Sequence, residues 1–343
     1  MKKHLFNRID KEDLKLALSR ETFDRMTASF YHYVNLSSPD DLRDQLYMKW
    51  NQMGVFGRVY IASEGINAQV SIPEHNWEKF SRYLDSIPEF KGISIKRALQ
   101  EGSSFYKLKI KVRNELVAYG VSEEFYDMDR VGKHLSAEEY NFAIDRTDSV
   151  VVDMRNYYES EIGHFDNALI PNVETSKELL PEVKRLLRGK ENDKILLYCT
   201  GGIRCEKASS YLLHNGFKDV NQLQGGIIQY AHDIKKQGID SKFKGKNFVF
   251  DDRLGERVTD DIISSCHLCG NSCDDHTDCK NDACHILFIQ CEKCNESLNG
   301  CCSKECMEFA SLPIDDQKVL RKDPDRVISR TFFDSRIKPR LDK

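Results

Sequence analysis

The chain has 343 residues, 40% of them apolar and 31% charged, enough to fold into two or three domains. Its 51 Lys and Arg against 55 Asp and Glu leave a net charge of -4, so global basicity is excluded and any nucleic-acid contact must come from a local patch. No run of 18 apolar residues exists, and the charged start MKKHLFNRIDKEDLK lacks a signal peptide's apolar core; a cytoplasmic protein with no membrane contact and no obligate protein partner is expected.

Residues 1–23 read as an N-terminal extension, and 24–122 as an α+β domain. Met26 to Leu36 reads as a strand. Ser38, Pro39, Asp40 and Asp41 suit the cap and first turn of a helix over LRDQLYMKWNQM. Phe56 to Ile72 gives two extended halves around Glu64-Gly65. A helix over His75 to Ser86, a strand at Ile93 to Ala98 and more extended chain over Phe105 to Val117 follow. This order predicts a small ferredoxin-like domain. FYKLKIKVRNE alternates with period two: Lys107, Lys109, Lys111 and Arg113 share one face, and Tyr106, Leu108, Ile110 and Val112 the other. Lys91 to Gly120 carries a local net charge of +5. Such a face can hold a phosphate backbone, or be a solvated edge protected by lysines. EGIN, Glu64 to Asn67, reads as a tight bend or bulge.

Residues 123–145 read as a polar connector with a short helix near Ser136 to Asn141, where Ser136 and Glu139 can form a capping box. From 146 to 242, strand and helix signals alternate. Val150 to Val152 is an apolar strand ending at Asp153. Ser176 to Arg188 is a helix with an apolar stripe of Leu179, Leu180, Val183, Leu186 and Leu187. Ile195 to Tyr198 is a second buried strand, and Ile203 to Leu213 a second helix. The result is a parallel α/β domain, in which ligands sit beyond the strand C-terminal ends. Cys199 and Asp153 both fall there. Cys199 begins the loop CTGGIR, whose amides and following helix N-terminus favour thiolate over thiol, with Arg204 as a permanent positive charge. Cys205 reads as a core residue or as a resolving thiol.

VDMRNYYESEIGHFDNALIPN and CTGGIR resemble the two signatures of rhodanese-like domains, and Gly225-Gly226 resembles their second glycine signature. The resemblance implies a nucleophilic or persulfide-bearing Cys199, with Asp153 and Arg155 supporting the active-site loop. Related cysteine phosphatases use a loop one residue longer, Cys-x5-Arg. Here Cys205 stands at that arginine's place, which argues against phosphatase chemistry.

Of 12 cysteines, ten lie in residues 246–310: Cys266, Cys269, Cys273, Cys279, Cys284, Cys291, Cys294, Cys301, Cys302 and Cys306. Clustered cysteines in a cytosolic chain point to metal, and the pairs Cys266/Cys269 and Cys291/Cys294 to zinc knuckles. Ten thiols suffice for two sites of four with two to spare, and an iron–sulfur cluster is the alternative. With few large apolar residues here, a structural metal would replace the missing core. GKNFVFDDR, just before the cluster, suggests a strand at Phe248 to Phe250. Residues 311–343 form a polar tail, flexible or in contact with RNA.

The whole series is IASEGINAQVS, GKHLSAEEYN, DMRNYYESEIGHF, CTGGIRCEKAS, GGIIQY, GKNFVFDDR and a terminal CCSKEC. It resembles the bacterial tRNA uridine(34) hydroxylase family over residues 25 to 310. That resemblance implies oxygen-dependent formation of 5-hydroxyuridine at the wobble position, with molecular oxygen as co-substrate and the family's essential cysteine at Cys199; the residues themselves show no flavin, haem or 2-His-carboxylate iron motif, so no organic cofactor is expected. It makes the tRNA anticodon loop the partner and Lys107, Lys109, Lys111 and Arg113 the phosphate-contact candidates, with Tyr157, Tyr158 or Phe165 as stacking partners for the base. The rhodanese loop alone would instead predict a sulfurtransferase. A binding-only protein is the third reading.

Overall fold

The computed structural model describes residues 5, 7 and 9–322. Within the stretch expected as an extension, Lys11–Ser19 forms helix α1, capped by the Asp10 carboxylate. The N-terminal sheet then follows: β1 (Arg25–Tyr33), α2 (Pro39–Gln52), β2 (Phe56–Ala62), β3 (Gly65–Pro73), α3 (Trp77–Asp85), β4 (Lys96–Arg97) and β5 (Leu108–Val112). The strand order is β4-β1-β3-β2-β5: the ferredoxin-like arrangement with β5 added parallel to β2. Period-two alternation sends Ala28, Phe30, Val59, Ile61, Ile66, Ala68, Val70, Leu108 and Ile110 to one face. There α2 and α3 cover them with Leu46, Trp50, Phe80 and Leu84. Ser38 occupies the N-cap of α2, but its side chain makes no cap hydrogen bond; Pro39 at the first turn does the local work.

The opposite face is polar and in register. Tyr31 stands opposite Asn67, Asn67 opposite Tyr60, and Tyr60 opposite Lys111; the next row is Ser29, Gln69, Arg58 and Lys109.

The stretch expected to be a connector differs from that expectation. Lys133–Leu135 is strand β6, the edge of the central parallel sheet, and Ala137–Ile144 is α4, with the Ser136–Glu139 capping box formed. The local reason is that Leu135, Ala137, Tyr140 and Ala143 supply an apolar face that packs on Leu196, Tyr198 and Leu223, despite the polar average. The rest of this domain is β7 (Ser149–Asp153), α5 (Tyr157–Ser160), β8 (Gly163–Phe165), α6 (Ser176–Leu186), β9 (Lys194–Tyr198), α7 (Ile203–His214), β10 (Asp219–Leu223) and α8 (Gly226–Gln237). The sheet order is β6-β10-β9-β7, all parallel.

Strand β11 (Phe243–Asn247) pairs with β8 and with β12 (Glu256–Arg257). It ends where the expected strand at Phe248 begins. Phe248 instead packs edge-on against Tyr158, Phe250 and His276, tying the cysteine-rich region to the central domain. That region contains β13 (His276–Asp278), β14 (Leu287–Ile289), α9 (Glu292–Leu298), α10 (Lys304–Ser311) and α11 (Ile314–Leu320). The expected tail is therefore helical at its start, and its RKDPDR and RIKPR motifs lie largely or wholly outside the described residues.

The polar face of the N-terminal sheet docks on the central domain at α7. Tyr31 Oη donates to Glu206 (2.9 Å) and Tyr33 Oη to the Ile203 carbonyl (3.3 Å). The Lys207 ammonium, on a side chain with no exposure, is held by Glu64 of EGIN at 2.9 Å and by Glu115 at 3.2 Å. Glu64 also accepts from the Leu116 amide at 2.6 Å. EGIN is thus a bend, and its acid is also an interdomain anchor.

Candidate active site

Cys199 follows directly on β9 and is fully buried. Its Sγ accepts from the Gly202 amide at 3.1 Å. The loop carbonyls face the other way: Cys199 O accepts from the Ile227 amide (3.0 Å) and Thr200 O from the Ile228 amide (3.2 Å), both at the start of α8. Gly226 permits this approach, since a Cβ there would lie 2.5 Å from the Cys199 carbonyl oxygen. Burial pushes the Cys199 thiol up. The Cys205 thiol hydrogen bond, the Arg204 guanidinium and the amides of Gly202 and Arg204 outweigh it, bringing the group down to about 6. Cys205 moves the opposite way, raised by its burial and by donating to Cys199. It is a core residue of α7 that also serves Cys199 as a hydrogen-bond donor.

Arg204 is the candidate cation of the loop. Its guanidinium makes a bidentate pair with Glu159 at 2.6 and 2.8 Å and touches Thr200 Oγ1 at 3.3 Å. Glu159, fully buried on α5, is a site residue that sequence reasoning misses beyond its place in the signature; its spacing from Asp153 and Arg155 is the available signal.

Asp153 and Arg155, both fully buried, form a closed network. Asp153 Oδ1 accepts from the Arg155 amide (3.0 Å) and Nε (2.9 Å), and Oδ2 from Arg155 Nη2 (2.7 Å), Tyr198 Oη (2.7 Å) and Ser160 Oγ (2.9 Å). Arg155 also donates to the Gly163 carbonyl at 2.6 Å. These bonds brace β7 and β8 against Tyr198, the residue before Cys199. Asp153→Asn breaks the charge pair while leaving Arg155 buried. A loss of about 3–5 kcal/mol is expected in chemical denaturation, and a loss under about 1 kcal/mol would refute this bracing role.

Of the aromatic candidates, Phe165 is a core residue: its ring is surrounded edge-on by Tyr198, Tyr230 and Phe243. Pairing of β8 with β11 turns it inward. Tyr158 is buried against Phe248, and Tyr157 is half-buried.

Lys109 and Lys111 lie on β5, with Lys107 just before it and Arg113 just after. Burial lowers Lys109, as do its like-charged neighbours Lys111, Arg58, Lys107 and Arg113. Arg58 on β2 is a further basic residue of this face that the sequence does not announce, because its strand shows no basic run. Arg113 lies over the Tyr60 ring at 5.5 Å.

The cysteine-rich region brings eight of its ten thiols into two quartets: Cys266, Cys269, Cys291 and Cys294, and Cys279, Cys284, Cys302 and Cys306. Neighbouring sulfurs stand 3.6 Å apart for Cys269–Cys291, 3.7 Å for Cys284–Cys302 and 3.6 Å for Cys302–Cys306. A tetrahedral site with metal–sulfur bonds of about 2.3 Å has edges of about 3.8 Å, so both quartets can hold a metal ion. Asn281 Nδ2 donates to Cys306 Sγ (3.3 Å) and the Cys302 amide to Cys279 Sγ (3.5 Å), the outer bonds such a site uses. Cys273 and Cys301 belong to neither quartet: of the ten cysteines offered as metal ligands, these are the two to spare. Cys273 Sγ accepts instead from the Asp275 amide, and Cys301 Sγ points to the Asn299 carbonyl.

Among the described residues no helix is long and apolar enough to cross a membrane. Three family models match the chain: the UPF0176 acylphosphatase like domain over residues 25–116, the rhodanese-like domain over 136–233 and the rhodanase C-terminal domain over 244–307. A tRNA uridine(34) hydroxylase from Leptospira interrogans is 52% identical across 99% of this chain and 93% of its own length. The proteins of that name from Photorhabdus laumondii (49%; 92% and 91% covered) and Salmonella choleraesuis (48%; 90% and 89% covered) are similar over nearly as much. With the fold, the cysteine loop and this likeness along nearly its whole length, the chain belongs to the tRNA uridine(34) hydroxylase family.

Proposed function

We propose that this protein hydroxylates C5 of uridine 34 in tRNA, with molecular oxygen as co-substrate and Cys199 as nucleophile. The observation that carries the reading is the buried Cys199 loop, which favours the thiolate near neutral pH, in a chain of this family. The thiolate adds to C6 of the uracil. The C5=C6 pair shifts toward C5 and O4, and C5 attacks molecular oxygen to give a C5 hydroperoxide; a two-electron thiol reductant, itself oxidised to a disulfide, cleaves the O–O bond, leaving hydroxyl on C5 and releasing the second oxygen as water. Loss of the C5 proton with expulsion of the Cys199 thiolate then restores the ring. Arg204 supports the thiolate charge, Glu159 fixes Arg204, and Asp153 and Arg155 keep the end of β9 in place.

The N-terminal sheet supports the choice of a tRNA substrate. Its register runs from Tyr31, beside the Cys199 loop, to Lys111, and from Ser29 to Lys109. Phosphates on Arg58, Lys107, Lys109, Lys111 and Arg113 would leave the unstacked base of a single-stranded loop free to enter beside Tyr31. Zinc in the two cysteine quartets would hold the C-terminal region against Phe248 and supply its fold.

The direct test is nucleoside mass spectrometry of unmodified tRNA incubated with the protein under oxygen, with a thiol reductant and thiosulfate both present. 5-Hydroxyuridine at position 34 is expected. A thiolated nucleoside in its place would establish the sulfurtransferase reading. Lys109→Ala with Lys111→Ala should weaken tRNA binding equally across sequences and flatten the log K against log salt slope by about 0.7 for each phosphate no longer neutralised. An unchanged slope would remove the basic face from the interface.

A further inference from the structure

The N-terminal domain places one buried cation against the Cys199 loop. Lys96, on β4, is 8% exposed, and its Nζ donates to the Gly201 carbonyl at 3.1 Å. The ammonium lies 4.7 Å from the centre of the Tyr31 ring. Its Cε occupies space left by Gly225, where a Cβ would approach to 2.9 Å. Tyr31 Oη covers Gly202 in the same way, at 2.8 Å from where a Cβ would stand.

Among the described residues no carboxylate forms an ion pair with Lys96. Burial lowers its affinity for the proton; the negative charges of Cys199 and Glu206 act against that. The oxygens of Glu206 are already engaged, by Tyr31, His134 and Gln222, each at 2.9 Å. Arg204 is closed by Glu159. The other titratable groups around Cys199 are the Cys205 thiol and the hydroxyls of Tyr31 and Tyr119, none of which carries positive charge. A buried ammonium with no carboxylate is costly unless another anion faces it. The anions that act on it are Cys199, in the loop whose Gly201 carbonyl it holds, and the already engaged Glu206.

We infer that Lys96 is a positioning residue of the active site, lent by the N-terminal domain: it holds the Gly201 carbonyl and sets its ammonium against the loop as the counter-charge of the Cys199 thiolate. The nucleophile is then shared property of two domains. The N-terminal sheet does more than carry RNA.

The test needs no RNA, so it is independent of the hydroxylation reading. Full-length protein, purified in zinc, is pulse-labelled with iodoacetamide from pH 4.5 to 9, and the labelling of Cys199 is read by peptide mass spectrometry. The pH midpoint, unlike the absolute rate, does not depend on access to the buried sulfur. Wild type should show its midpoint near 6. Lys96→Met should move it up by about one unit or more, since removing a close opposite charge has that effect. Lys96→Arg should stay near wild type. Lys96→Gln keeps a donor for Gly201 but no charge, and should move with Met. A midpoint that stays put in Met and Gln, or that shifts as far in Arg as in Met, overturns the assignment. Cooperative thermal unfolding of each variant establishes that it is folded. Should Met fail to fold, the Gln and Arg midpoints decide alone.

Discussion

Replacing Cys199 by alanine should abolish 5-hydroxyuridine formation, with a fall of about 10³-fold or more, the expected result if Cys199 is the covalent nucleophile. Cys199→Ser should do the same although the side chains are nearly isosteric. A loop that lowers a thiol to about 6 leaves an alcohol protonated throughout the physiological range. tRNA affinity should change little in both variants, because Cys199 is fully buried and the basic groups lie on another sheet. The measurement is nucleoside mass spectrometry of bulk tRNA from a deletion strain rescued with wild type, Cys199→Ala or Cys199→Ser. Full hydroxylation in the alanine strain would end the nucleophile reading. With tRNA carrying 5-fluorouridine at position 34, wild type should form a stable adduct linked through Cys199, and the variants none. The rate of adduct formation should fall as pH drops below about 6, where Cys199 takes up its proton.

The second large effect concerns the cysteine quartets. Two metal ions per chain are expected by elemental analysis, and zinc by ligand chemistry. A single exchange in the buried quartet, such as Cys284→Ser, should remove one ion. The binding free energy of a structural zinc is of order 10 kcal/mol, so unfolding of the C-terminal region should follow. Cys273→Ser and Cys301→Ser should keep both ions, because neither sulfur belongs to a quartet. Loss of metal in those two variants would refute the assignment of ligands. Iron with visible absorption in place of zinc would assign iron to the thiolate quartets, and acid-labile sulfide with it a cluster.

What could be read directly from the sequence was local. The Cys199 loop consists of consecutive residues between an apolar strand and a helix, so its chemistry survives without knowledge of the fold. The same holds for the Ser136 capping box and for the alternation of β5. What could not be read was pairing across distance. Lys96 meets Gly201 across 105 positions, and Tyr31 meets Glu206 across 175, with no pattern in either segment to announce the other. Lys207 illustrates the cost of that blindness: on a helix it reads as surface, yet Glu64 and Glu115 draw it into a buried interface. The quartets mix both cases. The two CxxC pairs join each other. Cys301 and Cys302 are adjacent in sequence and only Cys302 is a quartet member, because the sulfurs of neighbouring residues diverge.

The order of these segments along the chain also fixes an order in time. All of β1 to β5 leaves the ribosome before Cys199 is made, and the N-terminal sheet has its own apolar core to fold around. At about 5–20 residues per second, the 87 positions from Val112 at the end of β5 to Cys199 take roughly 4 to 17 s to synthesise. Small α+β domains fold well within that time. A nascent Cys199 therefore emerges onto a finished sheet that already presents Tyr31 and Lys96, and its reactive sulfur is covered as soon as its own domain closes.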